Sequence, residues 1–92
     1  MVEPAPRWQV LILRRPEKAL RRLPRDLIQR IRERIRGLAE DPRPPGCKKL
    51  VGYDNLYRIR VGDWRISYAL EEDRLTVVIV EIAPRGKAYR NL

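Results

Sequence analysis

From Trp8 to Leu13 the chain reads WQVLIL, a short apolar stretch of β-prone residues. It predicts a strand over residues 7–14, and its unbroken apolarity predicts burial on both faces. Pro16 then opens a short helix over 17–23, and Pro24 marks a joint. From there the apolar positions are Leu27, Ile28, Ile31, Ile35 and Leu38, one face of an α-helix whose other positions are mostly Arg, Gln and Glu. Asp41-Pro42 ends that helix, and Arg43-Pro44-Pro45-Gly46 is loop by composition. Beyond the loop the apolar period changes from helical to alternating. Residues 48–51 predict a strand, with a turn at Tyr53-Asp54-Asn55. Residues 56–61 and 64–70 alternate on either side of Gly62-Asp63. Glu71-Glu72-Asp73 turns once more, and 75–82 (LTVVIVEI) is fit for a central strand.

The expected order is β-α-α-β-β-β-β. Two N-terminal helices followed by an antiparallel meander imply an α+β fold, with the helices packed on one face of an antiparallel sheet. At 92 residues this is one domain, 1–92, with 1–6 a frayed end and 83–92 a polar, basic tail.

Composition narrows the chemistry. The chain has no His and one cysteine, Cys47. That excludes Ser-His-Asp triads, paired-His ribonuclease chemistry, His-ligated metals, internal disulfides and cysteine metal clusters, so no metal and no cofactor are expected. A reducing compartment is the simplest assumption. No apolar run approaches the roughly 20 residues of a membrane span. The start lacks the basic and apolar stretches of a signal peptide, and the expected location is the cytoplasm.

The net charge is +9, which suits a polyanionic partner. Residues 14–36 hold ten Arg/Lys against three acids. These lie on the polar sides of amphipathic helices and read either as a solvated surface or as a polyanion-docking face. The strand cluster is sharper. On alternating strands Tyr57, Ile59 and Val61 point one way and Arg58 and Arg60 the other, and Arg65 and Ser67 lie opposite Trp64, Ile66 and Tyr68. If the helices cover the apolar face, Arg58, Arg60 and Arg65 crowd together on the open one. Like charges on neighbouring strands repel, and the lack of interleaved acids favours an anion site over an ordinary polar face. The tail adds Arg85, Lys87, Tyr89 and Arg90, which spacing alone reads as a basic end.

An early W-x-V strand (Trp8, Val10), two basic helices, Asp41-Pro42-Arg43-Pro44, Lys48-Lys49-Leu50-x-Gly52, the run from Leu56 to Tyr68 (LYRIRVGDWRISY) and a closing Arg85-x-Lys87-x-Tyr89-Arg90 together resemble the RelE/ParE superfamily of type II toxins, closest to the RelE branch. The resemblance spans nearly the whole chain. It implies a ribosome-dependent endoribonuclease that cuts mRNA in the ribosomal A site by attack of a 2′-OH on the scissile phosphate. It further implies an antitoxin that holds the toxin inactive, ribosome and mRNA as partners, and operator DNA only through the antitoxin complex. Arg58 and Arg60 match positions that are lysines in the best-known RelE, Arg65 an arginine at the scissile phosphate, Arg85 one near the leaving oxygen, and Tyr89 the tyrosine assigned as general base. Lys48, Lys49, Lys87, Arg90, Arg30 and Arg34 are the further basic residues expected to contact RNA and ribosome.

The implied chemistry is coherent without histidine. Guanidinium forks stabilise the extra negative charge of a pentavalent phosphorane. A tyrosine titrates near pH 10 in isolation, and surrounding arginines favour its phenolate. Two departures stand out. Arginine does not readily give up a proton, so Arg58 and Arg60 would act electrostatically only. Pro84 sits where many relatives carry a His before the tail arginine. The same fold also serves ParE-like toxins that poison DNA gyrase without catalytic residues, and a toxin fold that has lost its activity would only bind antitoxin or operator DNA.

Overall fold

The computed structural model describes residues 7–86. The element order is β1 (Gln9–Ile12), α1 (Arg14–Arg21), α2 (Arg25–Leu38), β2 (Lys48–Lys49), β3 (Leu56–Val61), β4 (Trp64–Glu71) and β5 (Thr76–Pro84). This is the expected α+β order. One sheet of five strands runs β1-β5-β4-β3-β2. The β2-to-β5 part is an antiparallel meander. β1 joins it in parallel beside β5, so the sheet is mixed.

The apolar sides of α2 and the three long strands meet in one core. Ile31, Ile35 and Leu38 of α2 pack with Tyr57, Ile59, Val61, Ile66, Tyr68, Leu70, Val77, Ile79 and Ile82. The two periods read from the sequence are therefore the two halves of one interior. α1 lies against β5, and α2 reaches both β1 and β3. Glu17 accepts hydrogen bonds from Arg21 at 2.9 Å and from Arg32 at 3.1 Å, which ties α1 to α2. Burial alone would raise the Glu17 carboxyl, but the two guanidinium groups outweigh it and hold it below the ordinary carboxylate range.

The first strand departs from expectation. Expected to be buried on both faces, β1 is an edge strand, with Val10 36% and Leu11 53% exposed. Among the described residues its only strand partner is β5, and an apolar run of this length looks alike at an edge and at a centre. α1 begins at Arg14, three residues earlier than expected, because Pro16 sits within its first turn, where no backbone N–H is required. β2 is two residues long, shorter than the expected 48–51. β5 extends to Pro84, so the first two residues assigned to the tail are strand. The expected frayed end 1–6 lies outside the described residues. Among the described residues no helix is long and apolar enough to cross a membrane.

Candidate functional site

The β3–β4 hairpin sets the geometry. Val61 pairs with Trp64, which leaves Gly62 and Asp63 as a two-residue turn. Gly62 has φ +59°, the glycine-first pattern of a type II′ hairpin, whose twist matches the strands it joins. This turn fixes the register, and the register fixes the face. Arg60 stands opposite Arg65, and Arg58 opposite Ser67. Lys48 of β2 extends the row as the partner of Arg58.

Helix α2 and the loop after it complete the walls. Arg34 donates from Nη1 to the Arg60 carbonyl at 3.4 Å. A depression of about 650 Å³ is lined by Arg34, Pro45, Gly46, Lys48, Arg58, Arg60, Gly62 and Arg65. Among the described residues its lining carries five cations and no carboxylate. Arg85 adjoins it through a smaller recess of about 50 Å³ shared with Arg60, Gly62, Asp63 and Arg65. The Arg85 backbone N–H donates to the Asp63 carbonyl at 2.8 Å, which holds the end of β5 against the hairpin turn. Arg30 lies at the rim with Arg34 and Arg60.

The members differ in access. Arg60, Lys48, Arg34 and Arg85 are exposed and Arg65 is half-buried. Arg58 also lines the depression but is only 7% exposed, so little of it is offered to solvent. Lys49 alternates away from Lys48 and does not line the depression. Lys87, Tyr89 and Arg90 lie outside the described residues.

A second set of contacts pins the wall-forming loop. Tyr68 donates its hydroxyl to the Pro42 carbonyl at 2.7 Å. Burial first, and then its contact with Cys47, pushes the Tyr68 phenol well above its ordinary range. Tyr57 stacks on Tyr68 with ring centroids 5.9 Å apart. Arg43 lies over the Tyr57 ring at 5.2 Å from its centroid and pairs with Glu72. The hydrogen bonds from Arg43 to Glu72 and to Tyr57 raise its guanidinium above the ordinary arginine value. The loop 39–47 is thereby fixed at one end to the sheet, while Pro45 and Gly46 form a wall of the depression at the other.

Sequence reasoning did not single out Glu81, an acid inside the apolar run of β5 that is 8% exposed. The signal was present, since one charged residue interrupts VVIV and Ile82. Arg43 entered the sequence reading only as part of the Asp41-Pro42-Arg43-Pro44 motif, because its seat over Tyr57 and beside Glu72 forms only across the sheet.

The geometry and the relatives agree on the class. The family model described as ParE toxin of type II toxin-antitoxin system, parDE, matches residues 10–89. A chain of Methanocaldococcus jannaschii named as toxin RelE1 is 33% identical over 88 residues, covering 92% of this chain and 98% of that one. The archaeal RelE-RelB complex from Pyrococcus horikoshii superposes with a TM-score of 0.78 at 32% identity, over 87% of this chain and 97% of the other. A free-state Escherichia coli RelE toxin variant shares the fold, with a TM-score of 0.76 at 19% identity over 91% of this chain and 88% of that one. The chain belongs to the RelE/ParE superfamily of type II toxin-antitoxin toxins.

Proposed function

We propose that this toxin is a ribosome-dependent endoribonuclease that cleaves mRNA in the ribosomal A site, and that a cognate antitoxin holds it inactive. One observation carries the cleavage reading. Arg60 and Arg65 face each other in register on the open face of the sheet, within a depression whose charged lining, among the described residues, is all cationic, with Arg85 adjoining. Crowding like charges costs stability, and a phosphate bridging the two guanidinium groups removes that cost. A bare binding surface has no need of such a convergence.

In the proposed reaction the 2′-OH attacks the neighbouring phosphorus. A new P–O bond forms while the bond to the 5′ oxygen breaks, leaving a 2′,3′-cyclic phosphate and a free 5′-OH. Arg60 and Arg65 bind the phosphate oxygens, where negative charge grows as phosphorus becomes five-coordinate. Arg85, beside the hairpin turn, stabilises the departing 5′ oxygen, which takes its proton from solvent water. Tyr89 takes the role of general base that the resemblance assigns to it, accepting the 2′-OH proton. Arg34, Lys48 and Arg30 hold the flanking backbone phosphates as fixed charges. Strain imposed on the mRNA by the ribosome supplies in-line alignment. The antitoxin is proposed from the relatives, since the Pyrococcus horikoshii and Mycobacterium tuberculosis structures are complexes of toxin with antitoxin.

The test is primer extension on mRNA from a reconstituted translation reaction, with and without the purified protein. New 3′ ends within A-site codons that need ribosomes, and that fade in Arg65→Ala and Tyr89→Phe, support the reading. Intact mRNA in every lane overturns it and moves the test to DNA gyrase supercoiling, the activity of ParE-like toxins.

A further inference from the structure

The loop 39–47 ends at the cationic depression but is anchored away from it. Pro45 and Gly46, with Lys48 just after the loop, line the depression. Arg43, two positions before Pro45, does not. It lines a separate recess of about 440 Å³ with Tyr57, Leu70 and Glu72. There Nε of Arg43 donates to the Tyr57 hydroxyl at 3.2 Å and Nη2 donates to Glu72. The guanidinium carbon stands 5.2 Å from the centroid of the Tyr57 ring. Three contacts converge on one side chain.

The segment between this anchor and the wall is stiff. Pro44 and Pro45 have fixed φ and no backbone N–H. The N–H groups of Arg43 and Cys47 are taken up inside the loop, by Asp41 Oδ1 at 3.3 Å and the Pro44 carbonyl at 3.0 Å. Two side-chain hydrogen bonds tie the loop to the sheet, Tyr68 to the Pro42 carbonyl and Arg43 to the Tyr57 hydroxyl. When Arg43 shifts, Pro45 and Gly46 shift with it, because two proline rings leave few torsions to absorb the movement. Arg43 and Glu72 are both exposed, so their ion pair adds little to global stability. What it supplies is a fixed direction for the guanidinium.

We infer that Arg43 is a positioning residue of the phosphate site, clamped between Tyr57 and Glu72 so that Pro45, Gly46 and Lys48 keep their places against Arg58, Arg60 and Arg65. The inference rests on the cleavage reading above. Arg43 does not itself bind the scissile phosphate, because its guanidinium is engaged in the other recess. Its effect passes through the proline segment to the wall. A misplacement of about 1 Å in such a site costs on the order of 100-fold in rate. Glu72 belongs to the same device, although it lies outside the depression.

The experiment compares the parent, Arg43→Ala, Arg43→Lys and Glu72→Gln as full chains. Programmed ribosomes give kcat and KM, iodoacetamide gives the alkylation rate of Cys47, and thermal melts give stability. Cys47 is the single cysteine of the chain and sits half-buried at the end of the loop, so its rate reports where the loop lies. Arg43→Ala lowers kcat about 10- to 100-fold with a smaller change in KM. Arg43→Lys keeps the charge toward Glu72 and recovers part of the rate. Glu72→Gln decides the sign. It removes an acid and frees the Arg43 charge, so a direct RNA contact by Arg43 would bind more tightly and cut at least as fast. Positioning lowers kcat even though the net positive charge has risen. Cys47 alkylation rises about 3- to 10-fold in Arg43→Ala and in Glu72→Gln, as loss of one or two hydrogen bonds from a local opening equilibrium requires. An unchanged or raised kcat in Glu72→Gln, Cys47 rates equal to the parent's, or lowered melting temperatures with kcat intact overturn the inference. If the parent protein cuts no RNA, the cleavage reading falls on its own. The Cys47 rates then decide whether Arg43 sets the wall, and rates equal to the parent's overturn it.

Discussion

Arg60 and Arg65 are register partners in neighbouring strands, with both guanidinium groups on the same face of the sheet and one residue pair removed from the β3–β4 turn. This arrangement sets function against stability. Arg65→Ala is expected to lower cleavage about 100- to 1,000-fold, as loss of a charge-stabilising donor does elsewhere. The same change is expected to leave the melting temperature unchanged or to raise stability by up to about 1 kcal/mol, because a like-charge cross-strand pair disappears. The variant should relieve growth arrest while still binding antitoxin. Thermal melting beside the cleavage assay checks both halves, and a clear drop in stability would make the pair a packing element instead.

Binding to single-stranded RNA should depend steeply on salt. Each phosphate neutralised on a single strand contributes about −0.7 to the slope of log K against log salt. Leaving out the buried Arg58, the four other cations of the depression, Arg34, Lys48, Arg60 and Arg65, with Arg85 of the adjoining recess, then give a slope near −3.5 by the same rule. Lys48→Ala should flatten it by about 0.7. Fluorescence anisotropy of a labelled oligonucleotide across a KCl series measures this, and an unaltered slope places Lys48 off the RNA path.

Tyr68 gives the protein an alkaline limit. Its phenol is raised in the folded state, so the fold favours the neutral form. That contribution is complete below the unfolded value of about 10 and is lost as pH climbs toward the higher folded value. Tyr68→Phe removes the hydrogen bond to Pro42 and should cost about 1–2 kcal/mol at neutral pH. Above pH 10 the parent loses stability that the phenylalanine variant has no phenol to lose, so the gap narrows. Urea midpoints at pH 7 and pH 11 report it, and a gap that widens with pH would contradict the assignment.

Ile31 is fully buried beneath the sheet. Ile31→Ala should cost about 2–5 kcal/mol through lost burial and a residual cavity, and Ile31→Asp should leave the chain unfolded. Gln29, two positions earlier on the exposed side, should tolerate alanine within about 0.5 kcal/mol. Circular-dichroism melts of the three variants separate the two faces of α2. Equal losses at both positions would refute the packing.

Much of the architecture was legible because local pattern and global packing coincide. The spacing of Ile31, Ile35 and Leu38 identified the face of α2 that is buried, and alternation in 56–61 and 64–70 separated Tyr57 and Ile59 from Arg58 and Arg60. The Gly62-Asp63 turn was readable from its residues. Because side chains alternate with a period of two, a fixed turn sends every arginine to one side.

Other features depend on which elements become neighbours, and no local period encodes that. Apolarity could not reveal that β1 takes the sheet edge in parallel with β5, since edge and centre strands present the same run of residues. Alternation put Arg58 and Arg60 on one face, but only the assembled sheet decided that Arg58 is buried and Arg60 exposed. The approach of Arg34 to Arg60 joins residues 26 positions apart, and the row from Arg58 to Glu81 spans three strands. The sequence determined the elements and the side on which each charge falls, because those follow from periods of a few residues. Tertiary structure alone decided which charges meet, because that depends on strand order and on the burial that strand order creates.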